Sequence, residues 1–230
     1  MRVWGVCLTI LALAALVSTP AAAADLPAAA APTNPPPLGT VWSRFYLSLH
    51  GGVGLLQSTS LDFVDGALPS RSVDFDPGWT VVGAAGFQVT PWWRTEVELG
   101  GRGNGVSHIS PGTGSGGSVH ATTLMFNGYL DLPNRGPVTP YVGAGFGKAW
   151  LSHNLTVDGA TLTPGGNTTW PWAYQFMAGA NIAIAPRWTA GVEYRFLGAE
   201  RGLFQDAQGV FYNADYNNHS FLIGLTWRPL

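Results

Sequence analysis

Charge is scarce in this sequence. Asp, Glu, Lys and Arg make up 10% of the 230 residues, whereas soluble domains average about 25%. Lys148 is the only lysine and the formal net charge is −2, so there is no basic stripe on which a phosphate backbone could lie. The composition therefore argues against an ordinary water-facing surface, and nucleic acid is excluded as an expected partner.

Cysteine is nearly absent as well. The one cysteine, Cys7, falls within residues 1–24. This segment has a basic residue at Arg2, an apolar run over 3–17 and an exit of small residues, the three-part layout of a secretory signal peptide. We expect residues 1–24 to be cleaved, which leaves a mature chain without a thiol, a disulfide or a thiolate metal site.

Long apolar runs are missing from the rest of the chain. The best candidate, residues 173–185, is shorter than the ~20 residues of a spanning helix and contains Gln175 and Asn181. Because hydrocarbon admits only helices and closed sheets, an exported, charge-poor chain without such a helix indicates a membrane β-barrel. An Ala/Pro-rich periplasmic linker over 25–41 should precede the barrel domain, residues 42–230.

Period-two alternation and turn residues divide the barrel domain into eight strands. This pattern predicts an all-β, eight-stranded, antiparallel up-and-down transmembrane barrel. The strands are expected near 44–57, 78–90, 92–103, 118–132, 139–152, 171–185, 187–199 and 217–229. Short connections alternate with long ones, and the long ones, which should face outward, span 58–77, 104–117, 153–170 and 200–216.

Aromatic residues near the strand ends favour the membrane reading over a soluble β-sandwich, which also shows alternation. They should form two interfacial girdles, made of Trp92, Trp93, Tyr141, Trp188 and Trp227 on one side and Trp79, Trp150, Trp170 and Trp172 on the other. Lys148 shares its parity with lipid-facing Val142 and Phe146. Since a lysine at midplane would cost ~2 to 4 kcal/mol, we expect a bulge or a position at the outer interface.

Six charged residues have the parity of the barrel interior. They are Arg94, Glu96, Glu98 and Arg102 in the third strand and Glu193 and Arg195 in the seventh. An eight-stranded barrel is only just wide enough for its own side chains, so we expect these charges to pair and fill the lumen. The alternative is a narrow pore that opens when the charges change partners.

A catalytic or metal site is not expected. Some eight-stranded outer-membrane barrels modify lipid A, but the adjacent residues His219 and Ser220 should point to opposite faces of a strand. The other histidines occur singly, without the spacing of a metal site. We therefore predict no enzyme activity, no cofactor and no metal.

The long connections are where a partner would be met, because surface loops on a rigid scaffold carry recognition. The fourth offers the best candidates for contacts, which are Arg201, Phe204, Phe211, Tyr212 and Tyr216. The alternatives are adhesion to a host or environmental ligand, and loops that pack on each other or on lipopolysaccharide sugars.

Several segments resemble small alphaproteobacterial outer-membrane barrels of the superfamily that contains opacity proteins and the outer membrane protein A barrel. The resemblance covers nearly the whole chain and is carried by residues 23–27, 127–133, 140–147, 191–196 and 219–225. It implies a monomer in the outer membrane of a Gram-negative bacterium, inserted by the barrel-assembly machinery and surrounded by outer-membrane lipid and lipopolysaccharide. It also implies an abundant surface protein that contributes to envelope integrity and surface contact, with slow passage of small solutes as an alternative.

Overall fold

The structure, a computed structural model, describes residues 41–63, 71–110, 116–132, 134–157, 160–161, 167–205 and 211–229. The predicted signal peptide and all but the last residue of the predicted linker lie outside these ranges. A 3₁₀ helix, Val41–Arg44, precedes the first strand. Among the described residues, no helix has the length and apolar character needed to cross a membrane.

The described residues form twelve strands, which are β1 (Phe45–Leu56), β2 (Thr59–Phe63), β3 (Arg71–Phe75), β4 (Gly78–Thr90), β5 (Trp93–Ser110), β6 (Gly116–Asp131), β7 (Val138–Val157), β8 (Ala160–Thr161), β9 (Asn167–Thr169), β10 (Trp172–Ala185), β11 (Trp188–Gln205) and β12 (Phe211–Trp227). Eight of them pair antiparallel in the order β1–β4–β5–β6–β7–β10–β11–β12. The ring closes because β12 pairs with β1, with Leu47 opposite Trp227 and Leu56 opposite Asn218. The predicted eight-stranded barrel is confirmed.

Burial is inverted relative to a soluble sandwich. Large apolar side chains on the outer face are open to the surroundings, as at Leu49 (62% exposed) and Ile223 (71%). Charged side chains on the inner face are enclosed, as at Glu98, Arg102 and Arg195, each 1% exposed. An apolar exterior around a charged interior suits hydrocarbon and not water, which decides between the two architectures that alternation alone left open.

The aromatic girdles have the right spacing for a bilayer. On β5, Trp93 lies at the inner end, and Gly103 pairs with Trp79 at the outer end. Ten residue steps correspond to about 33 Å along a strand, or roughly 25 Å along the membrane normal at a tilt of about 40°. That equals the height of the apolar band in outer-membrane barrels.

The sheet continues beyond the outer girdle, where the sequence predicted long loops. β7 has 20 residues, and β5 and β11 have 18 each, whereas about 9 to 11 suffice to cross a bilayer. Within the predicted loop 58–77, β2 and β3 form a hairpin whose outer edges pair with β12 and β5. The strands therefore extend further into 58–77, 104–117, 153–170 and 200–216 than the bounds predicted from the sequence. In water above the membrane the described parts of these segments satisfy their backbone groups by continuing the ladder.

Lys148 occupies the outer interface, and no bulge accompanies it. The registers of β7 with β6 and β10 run without a shift through Lys148, which lies opposite Leu124 and Trp172. Its side chain reaches the level of the outer tryptophans, where a charge costs little.

A closed barrel of this kind should migrate anomalously on gels until it is boiled. We expect protein purified from outer membranes in mild detergent to shift in mobility on heating and to keep its β circular dichroism up to high temperature, because every strand of the ring is paired on both sides. An unchanged mobility, with the protein recovered from the soluble periplasm, would contradict this fold.

Candidate functional site: the barrel interior

The six predicted interior charges come from two strands that face each other. In the ring of eight, β5 and β11 are four positions apart, so their inward side chains meet across the full diameter. All six are at most 5% exposed: Arg94, Glu96, Glu98, Arg102, Glu193 and Arg195. The structure brings the six together inside the barrel, in two clusters and one outlier.

The first cluster lies near the inner end, around Arg94. Its guanidinium contacts the Asp131 carboxylate at 3.0 Å and the Glu96 carboxylate at 3.1 Å. The hydroxyl of Tyr46 donates to Glu96 at 2.8 Å, and the Arg94 guanidinium stacks 4.2 Å from the ring centre of Tyr129. Cation–π contact and two carboxylates together compensate this cation in a region closed to water.

The second cluster crosses the barrel. The Arg195 guanidinium of β11 bonds the Glu98 carboxylate of β5 and also binds Glu193 at 2.7 Å. Asn127 donates to the second oxygen of Glu98 at 2.9 Å, and Tyr141 donates to Glu193 at 2.9 Å. One arginine held by two carboxylates, themselves held by neutral donors, is a compensated buried network.

Inward-facing glycines give this network its room. A Cβ on Gly145 would fall 1.9 Å from the amide oxygen of Asn127, and a Cβ on Gly179 would fall 2.5 Å from the hydroxyl of Tyr141. Because the facing side chains fill the space over these glycines, a narrow lumen can accept arginines and tyrosines without strain.

Arg102 is the outlier of the six. Its Nη1 donates to the hydroxyl of Thr123 at 3.0 Å. Its Nε and Nη2 have no hydrogen-bond partner among the described residues, and no carboxylate there forms an ion pair with it. Beside it, Thr80, Ser220 and Asn218 form a neutral hydrogen-bonded chain. Arg102 is therefore the interior cation with the weakest protein compensation in the described part of the chain.

An apolar cap lies outside the charges, and the sequence did not reveal it. We give this name to the buried cluster of Leu56, Val73, Val106, Ile109, Ala121, Met125, Ala149, Leu151, Ala173, Leu197, Ala199 and Tyr216. Its members come from the outer halves of the strands and from β3. Several are fully enclosed, since Ile109, Ala149 and Leu197 are 0% exposed. The outer half of the described interior thus contains a hydrophobic core, with buried polar residues such as Asn104 and Thr123 beside it.

His153 continues the cap outward on β7. It is 7% exposed and sits three residues beyond the girdle residue Trp150. Burial lowers the pKa of His153 to about 4, so its imidazole is neutral at physiological pH. It adds no charge to the outer end of the interior.

The girdle prediction needs one correction. Trp92, Trp93, Trp188 and Trp227 lie at the inner strand ends, and Trp79, Trp150, Trp170 and Trp172 lie at the outer ends, all on the outer face. Tyr141, by contrast, is 3% exposed and points into the lumen, where it bonds Glu193. The assignment of Tyr141 to an interface was wrong because side chains alternate, and its neighbour Val142 takes the lipid-facing side.

The predicted loop contacts divide into two groups. Tyr216 was expected to be exposed, but it is 5% exposed and belongs to the apolar cap, so that expectation was wrong. It pairs with Ala199 in the ladder, which turns its ring inward. Arg201, Phe204, Phe211 and Tyr212 lie on the outer ends of β11 and β12, where Phe204 pairs with Tyr212. Their part in partner contacts stays a prediction.

The Ser/His pair does not assemble. The His219 ring lies 2.8 Å from the hydroxyl of Tyr194 through Nδ1, whereas Ser220 is 1% exposed and bonds Thr80 and Asn218 inside. Alternation therefore separates the two residues as the sequence predicted. In the described part of the chain, no group of three His, Cys, Asp or Glu side chains is arranged to hold a metal ion.

Comparisons with known proteins agree with this architecture. A protein of Brucella abortus with no assigned function is 33% identical over 88 residues, which are 35% of this chain and 31% of that protein. An outer membrane protein of Gluconacetobacter diazotrophicus is 26% identical over 221 residues, covering 82% of this chain and 58% of that protein. The chain thus spans between about a third and three fifths of the length of these relatives.

A solved structure with the same fold is the crystal structure of Neisserial surface protein A. It matches with a TM-score of 0.53 at 14% identity, over 81% of this chain and 98% of that one. The family model described as the outer membrane protein beta-barrel domain matches residues 9–228. With its charged interior, apolar exterior and closed ring, this chain belongs to the outer membrane protein beta-barrel family of Gram-negative bacteria.

Proposed function

We propose that this protein is a non-conducting structural protein of the outer membrane that contributes to envelope integrity and presents an external surface for contact. The observation that carries the proposal is that side chains close the barrel interior at two levels. Ions meet compensated charge clusters in the inner half, and in the outer half they meet the apolar cap with buried polar residues such as Asn104 beside it. We propose no catalytic step, and a monomer is the expected state.

The charge clusters support a barrel filled by its own side chains, because their carboxylates already accept hydrogen bonds from neighbouring residues. Glu98 accepts from Arg195 and Asn127, and Glu193 accepts from Arg195 and Tyr141. A path for ions through this level would require several of these bonds to break together, each in a region of low dielectric.

The apolar cap supports the same conclusion independently. A narrow pathway must be lined by groups that can replace hydration, whereas the cap offers side chains such as Ile109 and Leu197, both 0% exposed. Hydrophobic constrictions of this kind exclude ions by excluding water.

A narrow pore is the second candidate, favoured by one observation. Two nitrogens of Arg102 have no acceptor among the described residues, so Arg102 could form an ion pair with a carboxylate released by Arg195. Such an exchange of partners would shift charges along the barrel axis. Conductance separates this candidate from the filled barrel.

The external surface is built on paired strands. The ends of β11 and β12 pair beyond the girdle as far as Gln205 and Phe211, and Asp62 and Phe63 of β2 pair with β12. We propose that this extension supports contacts with lipopolysaccharide sugars or with a host or environmental ligand, in the manner of recognition loops held by a rigid scaffold.

Removing one partner of the crossing pair should destabilise the barrel. Glu98→Gln leaves Arg195 with one carboxylate in an enclosed site, which we expect to lower the free energy of unfolding by about 3 kcal/mol. Urea unfolding in lipid vesicles measures this. The control is Glu200→Gln, which makes the same change at an exposed position and should cost less than about 0.5 kcal/mol. Equal effects of the two substitutions would show that the network does not stabilise the barrel.

Planar-bilayer recordings test the closed interior. Wild type and Glu96→Ala should both be electrically silent, because Glu96→Ala leaves the crossing pair and the apolar cap in place. The heat-dependent gel shift of the same protein preparations checks that both proteins are folded. Discrete conductance steps in wild type that change in Glu96→Ala would favour the pore and remove the filled-barrel proposal.

Shortening the external extension tests surface contact. Gly202 faces Ala214 in the ladder, so residues 203–213 can be replaced by Asn-Gly, a two-residue hairpin turn. We expect the heat-dependent gel shift to persist while attachment of cells to surfaces or extracellular matrix falls. Attachment equal to wild type would remove the adhesion component.

The envelope component is tested in a strain that lacks the protein. Sensitivity to bile salts equal to that of wild type would remove this component.

A further inference from the structure

The side chain of Lys148 occupies a distinctive position on the outer face of the barrel. It shares this face with Val142 (45% exposed) and Phe146 (60%), whereas Tyr141 and Ala149, which flank this stretch, point inward. Lys148 pairs with Trp172 on one side and Leu124 on the other. The chain's single lysine therefore faces lipid at the outer girdle.

The ammonium group is held in place by aromatic and carbonyl contacts. Its Nζ lies 4.0 Å from the ring centre of Trp172 and 3.4 Å from the carbonyl oxygen of Trp170. The ring of Trp170 stacks edge-on against Trp150 at 5.7 Å. Two tryptophan contacts orient the lysine without neutralising it, since a π face and a carbonyl carry no net charge.

No carboxylate in the described part of the chain forms an ion pair with Lys148. The four salt bridges found there all lie inside the barrel. The neighbouring outward positions on β6 and β7 carry no carboxylate, since Thr122 lies opposite Trp150, and His120 lies opposite Ser152. On β6 and β7 the described surface around Lys148 has hydroxyl and imidazole groups and no carboxylate, and the exposed Glu200 follows Ala199, the β11 partner of Ala173.

We propose that Lys148, Trp170 and Trp172 form a binding site for the phosphate group of an outer-leaflet glycolipid, the phosphorylated lipid A headgroup. The depth fits, because interfacial tryptophans mark the level at which lipid headgroups begin. The chemistry fits, because a lysine ammonium pairs with phosphate as a point charge. The acyl chains of the same lipid would lie along the apolar face that contains Val142 and Phe146. This inference holds whether or not the interior conducts.

Binding of defined lipids tests the site. Delipidated protein in mild detergent with EDTA, so that no divalent cation bridges the partners, is titrated with diphosphoryl lipid A and with the same lipid after removal of its phosphates, and complexes are counted by native mass spectrometry. Wild type should bind the phosphorylated lipid about tenfold more tightly, the size expected of one hydrogen bond to a charged group. Lys148→Met should abolish this preference, and Lys148→Arg should keep most of it.

Arg135→Met is the matched control. It removes one exposed positive charge from the periplasmic turn before the same strand, β7, and should keep the full preference for phosphate. The proposal is overturned if Lys148→Met keeps that preference, if Arg135→Met loses it equally, or if wild type binds both lipids alike. Wild type alone gives a further check, because the preference must weaken as ionic strength rises; a preference independent of salt would also overturn the proposal.

Discussion

The ion pair between Glu98 and Arg195 is the interaction on which the rest of the interior depends. It joins strands on opposite sides of the ring, so each partner reaches the middle of the lumen. A charge placed there has no access to bulk water, and it is tolerated only when its remaining hydrogen-bonding capacity is met. Asn127, Glu193 and Tyr141 meet that need, and the glycines facing them provide the space.

The same constraint explains the division of the interior into two halves. Where charges can be paired across the diameter, the lumen is polar. Further outward many inward positions carry the residues of the apolar cap, and the polar residues among them, such as Asn104 and Asn218, are neutral and hydrogen-bonded. Arg102 sits at the boundary, with one bond to Thr123 and two nitrogens unmatched by the described residues. The inner half of the barrel interior thus contains paired charges, and the outer half contains the packed apolar residues of the cap.

Much of this fold could be predicted from the sequence, and the failures have physical causes. The predicted bounds of β4 match the observed strand, Gly78–Thr90, because Gly78 and Pro91 mark its two ends. The outer ends of β5 and β7 were missed because strands in water carry Gly, Asn and Ser, which also typify loops. The register in which β1 pairs with β12 could not be predicted, because alternation records which face a residue takes and not which residue it pairs with.

The site residues follow the same logic. The six interior charges were recognised because charges on one parity of a charge-poor strand are conspicuous. The apolar cap was not, because inward Ala149 and Leu151 alternate with apolar Trp150, so both faces have the same character. Tyr141 was misassigned by weighing its closeness to a strand end above its parity. Parity is the stronger rule, since one step along a strand reverses the face.

The single lysine also provides one site for chemical labelling. Since no other ε-amine exists in the sequence, an amine-directed fluorophore or spin label that reacts with side chains attaches at one depth, beside Trp170 and Trp172. Tryptophan emission at that depth would then be quenched by the label over a short and known separation. A label at Lys148 therefore allows depth in the outer leaflet to be measured without the introduction of a cysteine.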